Sequence, residues 1–292
     1  MSSSNVKADR VPFFYDVTLR DGNQALAKPW NNEEKEKVYL QLLKLGVQGV
    51  EVGFAAASDM DFESCKGIAQ LTASMASAGD VSAQKVVVAS LARANKVDIE
   101  RAWEAVQYAP KPRIHTFIAT SKLSMEHVLK MSPEQVRARA VESVALAKSL
   151  VGDRGDVQFS AEHFGDCADN MDFVIDLLKA AVEAGATTIN LPNTVERYRP
   201  MLYVEQVRQV VDALPKEVMV AVHCHNDLGM ATAATVESFF VGATQLEVAL
   251  NGLGERCGNT NAYEVAIALF NSGVPVALNM DRIYETALLV SQ

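Results

Sequence analysis

The chain has 292 residues, of which 49% are hydrophobic and 22% charged, and its formal net charge is −9 at pH 7. These fractions are those of a globular domain, and the acidic balance argues against nucleic acid or an anionic membrane as partner, because both require clustered cations. The opening MSSSNVKADR lacks the apolar run of a secretion signal, and no stretch is long and apolar enough to cross a bilayer. Cys65, Cys167, Cys224 and Cys257 form no CxxC pair, so neither a disulfide framework nor a cysteine zinc site is expected, and a reducing, cytoplasmic address is.

In chain order, the first buried strand is expected at Phe13–Thr18. A helix follows, with Asn31 or Asn32 as cap, Glu33, Glu34 and Glu36 in its acidic first turn, and an apolar stripe of Val38, Leu42 and Leu45 that stops at Gly46. Further strands are expected at Gly49–Phe54, Lys85–Leu91, Arg113–Ala119 and Val157–Glu162. Between the last two, Ser132-Pro133-Glu134-Gln135 has the spacing of a helix-opening capping box with proline in the first turn. Then come a helix Asn170–Ala184, a strand Thr187–Leu191, a helix Pro200–Leu214, and strands Val218–His225 and Gln245–Leu250. Helices about Asn261–Asn271 and Asp281–Gln292 complete the series.

Continuous rather than alternating apolarity marks strands covered on both faces. Eight such strands with intervening helices predict a closed α/β architecture, the (β/α)8 TIM barrel, which typically needs about 250 residues. A helix–Gly–strand pattern recurs at Gly46, Gly185 and Gly242. The expected division is a tail over 1–10, a catalytic barrel over 11–275 and an extra helix over 276–292 that begins a further subdomain of a longer natural protein.

Chemistry in such barrels sits at the C-terminal ends of strands and in the loops that follow. After the first strand comes Asp16-Val17-Thr18-Leu19-Arg20-Asp21-Gly22-Asn23-Gln24. Taken alone, RDG is equally well read as a capped loop with an internal ion pair. The seventh strand ends His223-Cys224-His225-Asn226-Asp227. Alternation places both imidazoles on one face, a natural half-site for a metal, and turns Cys224 toward the helices. The eighth runs into Asn251-Gly252-Leu253-Gly254-Glu255-Arg256-Cys257-Gly258-Asn259, a glycine-rich loop for which phosphate binding is the competing reading. Loops one, seven and eight are neighbours in a closed barrel, where a carboxylate, two imidazoles and an amide oxygen form a mixed O/N metal site.

LRDGNQ, EVGF, HCHND and NGLGERCGN, in this order, resemble the DRE-TIM metallolyase superfamily. Within it, RIHTFIATS, AGATTINLP and GATQLEVALNGLGERCGN are most similar to 2-isopropylmalate synthases, and the likeness runs from Phe13 to Gln292. It implies Asp21, His223, His225 and Asn259 as ligands of a divalent ion (Mn, Mg or Zn). Arg20 becomes the catalytic cation and Glu51 its orienting partner. Glu162 or His115 would act as base, and Gln24, Ser121, Ser160 and Thr194 would contact substrate. The implied reaction is Claisen condensation of acetyl-CoA with a 2-oxo acid by a homodimer.

Two features depart from the pattern. Many relatives carry Asp-Thr-Val-Gly where this chain has Asn193-Thr194-Val195-Glu196, which predicts an altered oxo-acid pocket. The acid the resemblance implies is 2-oxoisovalerate, giving 2-isopropylmalate in leucine biosynthesis, and the change keeps a related 2-oxo acid open. Condensing synthases also continue beyond the barrel into a subdomain that supplies further active-site residues. Citramalate or homocitrate synthesis, or a retro-Claisen lyase of the 3-hydroxy-3-methylglutaryl-CoA type, are the alternatives, and a non-catalytic barrel is a third class. Arg93 is read either as an anion contact or as a solvated loop charge.

Overall fold

The computed structural model describes residues 10–291. Eight parallel strands close in sequence order: β1 (Phe13–Asp16), β2 (Gly49–Gly53), β3 (Val87–Arg93), β4 (Pro112–Ala119), β5 (Asp156–Glu162), β6 (Thr188–Asn193), β7 (Met219–Cys224) and β8 (Gln245–Val248). The seam is β1 on β8, with Phe13 opposite Gln245 and Asp16 opposite Val248. The outer layer holds α1 (Asn32–Leu45), α2 (Asp59–Ser77), the short α3 (Val81–Lys85), α4 (Lys96–Val106), α5 (Pro133–Val151), α6 (Met171–Glu183), α7 (Pro200–Ala213), α8 (Ala231–Phe240) and α9 (Ala262–Asn271), and α10 (Ile283–Val290) packs beside α1. The expected (β/α)8 barrel is the fold observed. Of the expected N-terminal tail, residues 1–9 lie outside the described residues, while Arg10 is anchored by donating to the Gly242 and Phe239 carbonyls.

Local chemistry explains the boundaries. Asn31 caps α1 and Glu34 reciprocates, and Ser132 and Gln135 do the same for α5, each cap contributing about 1 kcal/mol. Gly46, Gly185 and Gly242 adopt φ of 90°, 117° and 126°, so the recurring glycine supplies a left-handed turn from helix into strand that a side chain would resist. The third strand starts at Val87 rather than Lys85, because Asp80 caps the short α3, which Lys85 ends.

Apolar side chains concentrate between strands and helices, where Cys224 lies in the main core as its alternation predicts. Inside the barrel the apolar cluster is small: Tyr15, Val17, Ala89 and Ala249. Much of the remaining interior is polar, with Glu51, Arg113, His115, Gln158, Gln245 and Glu247 all buried, in contrast to the branched aliphatic layers that usually fill this space. That polar interior carries the site.

Candidate active site

β1 ends sooner than expected because Asp16 accepts from the Thr18 N–H at 2.9 Å and its hydroxyl at 3.0 Å. The chain then enters a π-helical turn, Thr18–Gly22, a form that recurs at functional sites. Asp16 is fully buried, and burial raises its pKa to about 7 against the opposing Thr18 bonds. Because the folded value exceeds the unfolded one near 4, the unfolded state alone ionises as pH rises between them, and stability falls across that window. Asp16→Asn is therefore expected to gain stability over the native protein by a few kcal/mol at pH 8 and by little at pH 4. Urea unfolding at both pH values checks this, and a gap that does not widen with pH contradicts it.

The turn presents Arg20 and Asp21 to the barrel mouth. Arg20 donates through Nε to Glu51 Oε2 and through Nη1 to Asp21 Oδ2, both at 2.5 Å. Glu51 is fully buried on β2, and its other oxygen meets His115 Nδ1 at 2.5 Å. Burial opposes the charge on Glu51, but Arg20 and His115 outweigh it and hold the carboxyl at about 2. Likewise burial opposes Asp21, and Arg20, the two imidazoles and the Asn259 amide hold it well below the carboxylate range.

His223 and His225 leave β7 on one face, as alternation requires. Their Nε2 atoms are 3.1 Å apart, and each lies 3.8–3.9 Å from Asp21 Oδ2. Donors held about 2.1 Å from one ion lie about 3 to 4 Å from each other, so these separations suit a shared cation. Asn259 bridges to His225 and donates through Nδ2 to Asp21 Oδ1 at 3.0 Å, which leaves its amide oxygen buried without a partner. His225 Nδ1 is also buried and unpartnered. An orphaned oxygen beside a carboxylate and two imidazoles fits a divalent ion.

The mouth encloses about 290 Å³, lined by residues that include Arg20, Gln24, His115, Ser160, Glu162 and Thr194. That volume lies near the lower end for small-molecule sites. Burial raises the Glu162 carboxyl above its ordinary value, against the pull of His163 and Arg20. His115 is engaged on both ring nitrogens, with Ser160 Oγ 2.6 Å from Nε2. Gln24 sits at the rim and donates to Glu255, and Thr194 accepts from the His163 N–H.

Ser121 is not brought to this mouth. It bonds Ser124 at 2.9 Å and lines a neighbouring groove of about 790 Å³. Asn193 and Glu196 are also absent from the lining. Glu196 turns away to accept from the Leu228 and Met230 N–H groups ahead of α8, so this departure from the family pattern alters loop anchoring rather than the pocket wall. Arg93 is committed to Asp98 by a two-point contact at 2.6 and 3.2 Å.

Sequence reasoning missed Glu247, whose Oε2 lies 3.0 Å from His223 Nδ1. A carboxylate orienting a ligand imidazole from behind is a recurrent partner of metal sites. Its signal was a lone acid within the buried Gln245–Leu250 run, since a buried charge requires a partner.

Fold and site together define a (β/α)8 barrel with a carboxylate–imidazole cluster suited to a divalent metal at its catalytic end. The HMGL-like family profile matches residues 12–290, and the chain belongs to that family. It is 56% identical over 281 residues to 2-isopropylmalate synthase 2 of Leptospira interrogans, covering 96% of this chain and 63% of that protein. It is 41% identical to 2-isopropylmalate synthase of Heliobacterium modesticaldum, covering 95% and 52%. The chain thus spans between half and two thirds of the length of these relatives. Among solved structures, hydroxymethylglutaryl-CoA lyase from Pseudomonas aeruginosa superposes with a TM-score of 0.76 at 20% identity, covering 96% of this chain and 92% of that one, a likeness of fold.

Proposed function

We propose that this protein joins the methyl carbon of acetyl-CoA to the keto carbon of a 2-oxo acid. With 2-oxoisovalerate the products are 2-isopropylmalate and CoA, a step of leucine biosynthesis. The observation that carries this reading is the convergence of Asp21, His223, His225 and the unpartnered Asn259 oxygen beside Arg20 in one mouth. The names of the two synthase relatives support the same reaction.

A divalent ion at this cluster, Mn, Mg or Zn, would supply Lewis acidity to the keto carbonyl of a chelated 2-oxo acid. Arg20, fixed by Glu51 and Asp21, offers its guanidinium to the negative charge that develops on oxygen. Glu162 is the preferred base for the thioester α-proton, because burial moves its pKa toward neutrality and it faces the cavity. His115, held between Glu51 and Ser160, is better placed to orient than to take that proton. Thr194 and Gln24 shape the wall and the rim. After carbon–carbon bond formation, water cleaves the thioester and CoA leaves as the thiol.

Glu162→Gln preserves shape and removes the base. Turnover is expected to fall by roughly 10²–10⁴, with divalent-ion affinity unchanged. Steady-state rates and a metal titration check both halves, and a near-native rate would exclude Glu162 as base.

The function itself is tested by mixing purified protein with a divalent salt, acetyl-CoA and a panel of 2-oxo acids, following free thiol and product mass. Thiol release that requires both metal and oxo acid supports condensation, and the most reactive acid identifies the alkylmalate formed. Cleavage of a 3-hydroxy-3-methylglutaryl thioester in place of condensation would overturn it.

A further inference from the structure

Below the mouth lies a second buried polar layer that the mechanism does not use. Arg113, near the start of β4, is 1% exposed. Its Nε and Nη2 hold both oxygens of Asp156 at 2.5 and 2.9 Å. Its Nη1 donates to Gln158 Oε1 at 2.8 Å and to Gln245 Oε1 at 2.7 Å.

A guanidinium carries donors only. Both glutamines must therefore turn their amide oxygens toward Arg113 and their NH₂ groups away from it. Gln158 Nε2 donates to Glu247 Oε1 at 2.6 Å, while Gln245 Nε2 donates to Gln158 Oε1 at 2.8 Å and approaches the same Glu247 oxygen at 3.3 Å. With Oε1 committed to these donors, Oε2 of Glu247 faces His223 Nδ1 at 3.0 Å. His223 then carries its proton on Nδ1 and keeps the Nε2 lone pair for the Asp21–His225 cluster.

We infer that Arg113 is a positioning residue for the metal centre. Acting through Gln158, Gln245 and Glu247, it fixes the tautomer and ring orientation of His223. The inference rests on the reading of the mouth as a divalent-metal site. Satisfying the buried guanidinium accounts for Asp156 and the two glutamine oxygens, but not for where the glutamine amide groups lead. The relay adds a directional chain that ends on a ligand imidazole.

The test uses the full chain with Arg113→Met, Gln158→Met, Glu247→Gln and the Arg113→Met/Glu247→Gln double variant. Histidine ¹⁵N shifts of the metal-free proteins report the His223 tautomer, and calorimetric titration with MnCl₂ or ZnCl₂ reports affinity. In the native protein the His223 proton is expected on Nδ1. In Arg113→Met and Gln158→Met it is expected to distribute over both nitrogens, with affinity about tenfold weaker or more. The double variant should lose no more than Glu247→Gln alone, because both changes break one chain.

Gln158→Met leaves the Arg113–Asp156 pair intact and carries the test if Arg113→Met does not fold. An unchanged tautomer and affinity in either folded variant overturns the inference, as do losses that add to that of Glu247→Gln. If the native protein takes up neither ion, the metal reading of the mouth fails instead, and the tautomer comparison still decides the role of Arg113.

Discussion

Asp21→Ala is expected to abolish stoichiometric retention of a divalent ion and, with it, measurable turnover. Asp21 is the one carboxylate in the cluster, with an oxygen 3.8–3.9 Å from both imidazole Nε2 atoms. Without it, two imidazoles and an amide oxygen would face the cation with no anionic ligand among them, and Arg20 loses one of its two anchors. The loss should be larger than that for any residue outside the ligand set. Removing the developing-charge stabilisation of a single donor typically costs roughly 10²–10³ in rate, whereas losing the ion would remove the Lewis acid that activates the keto carbonyl and holds the oxo acid. His223→Ala should behave similarly. Metal content after dialysis and the rate with excess metal are the two readings, and native values in either variant would remove that residue from the ligand set.

Glu51→Gln is expected to damage both stability and rate. Glu51 is fully enclosed and joins Arg20 to His115 through two contacts of 2.5 Å. Loss of one partner from a buried ion pair costs about 3–5 kcal/mol, because the remaining charge is left uncompensated. The glutamine amide retains one acceptor but presents a donor to either Arg20 or His115, both of which need an acceptor there. The guanidinium should then settle on Asp21 alone, away from the position that meets developing charge, and turnover should fall by roughly 10²–10³. The pH dependence has a defined sign. The folded carboxyl is held at about 2, below its unfolded value, so its contribution is complete above about pH 5 and is lost as pH falls toward 2. Denaturation of native protein and variant should therefore converge in acid, and a constant difference down to pH 2 would contradict the pairing.

Much of the architecture was legible in the sequence because its signals are local. Gly46, Gly185 and Gly242 mark three turns by the same conformational need, and each observed strand overlaps one expected run. The two histidines were legible because a period of two places them together whatever the neighbours are. What the sequence concealed depends on register between strands. Glu247, Gln158 and Arg113 lie on three strands, and their connection exists only once β4, β5 and β8 are aligned around the closed barrel. Ser121 shows the opposite failure. Its place after β4 pointed to the mouth, but a hydrogen bond to Ser124 turns it into the adjoining groove. Glu196 was read as a change in pocket lining, whereas the Leu228 and Met230 N–H groups ahead of α8 capture its carboxylate. Asp16 ended β1 early for a related reason, since a buried carboxyl takes the nearest donors and diverts the backbone from strand pairing.

A calorimetric titration of the purified chain reads, without requiring turnover, whether this mouth binds a 2-oxo acid through a divalent ion. One ion per chain is predicted, followed by binding of 2-oxoisovalerate or a close 2-oxo acid only to the metal-loaded form. Asp21→Ala should abolish both events. Equal binding of the oxo acid with and without metal, or a native protein that takes up no divalent ion, would contradict the account.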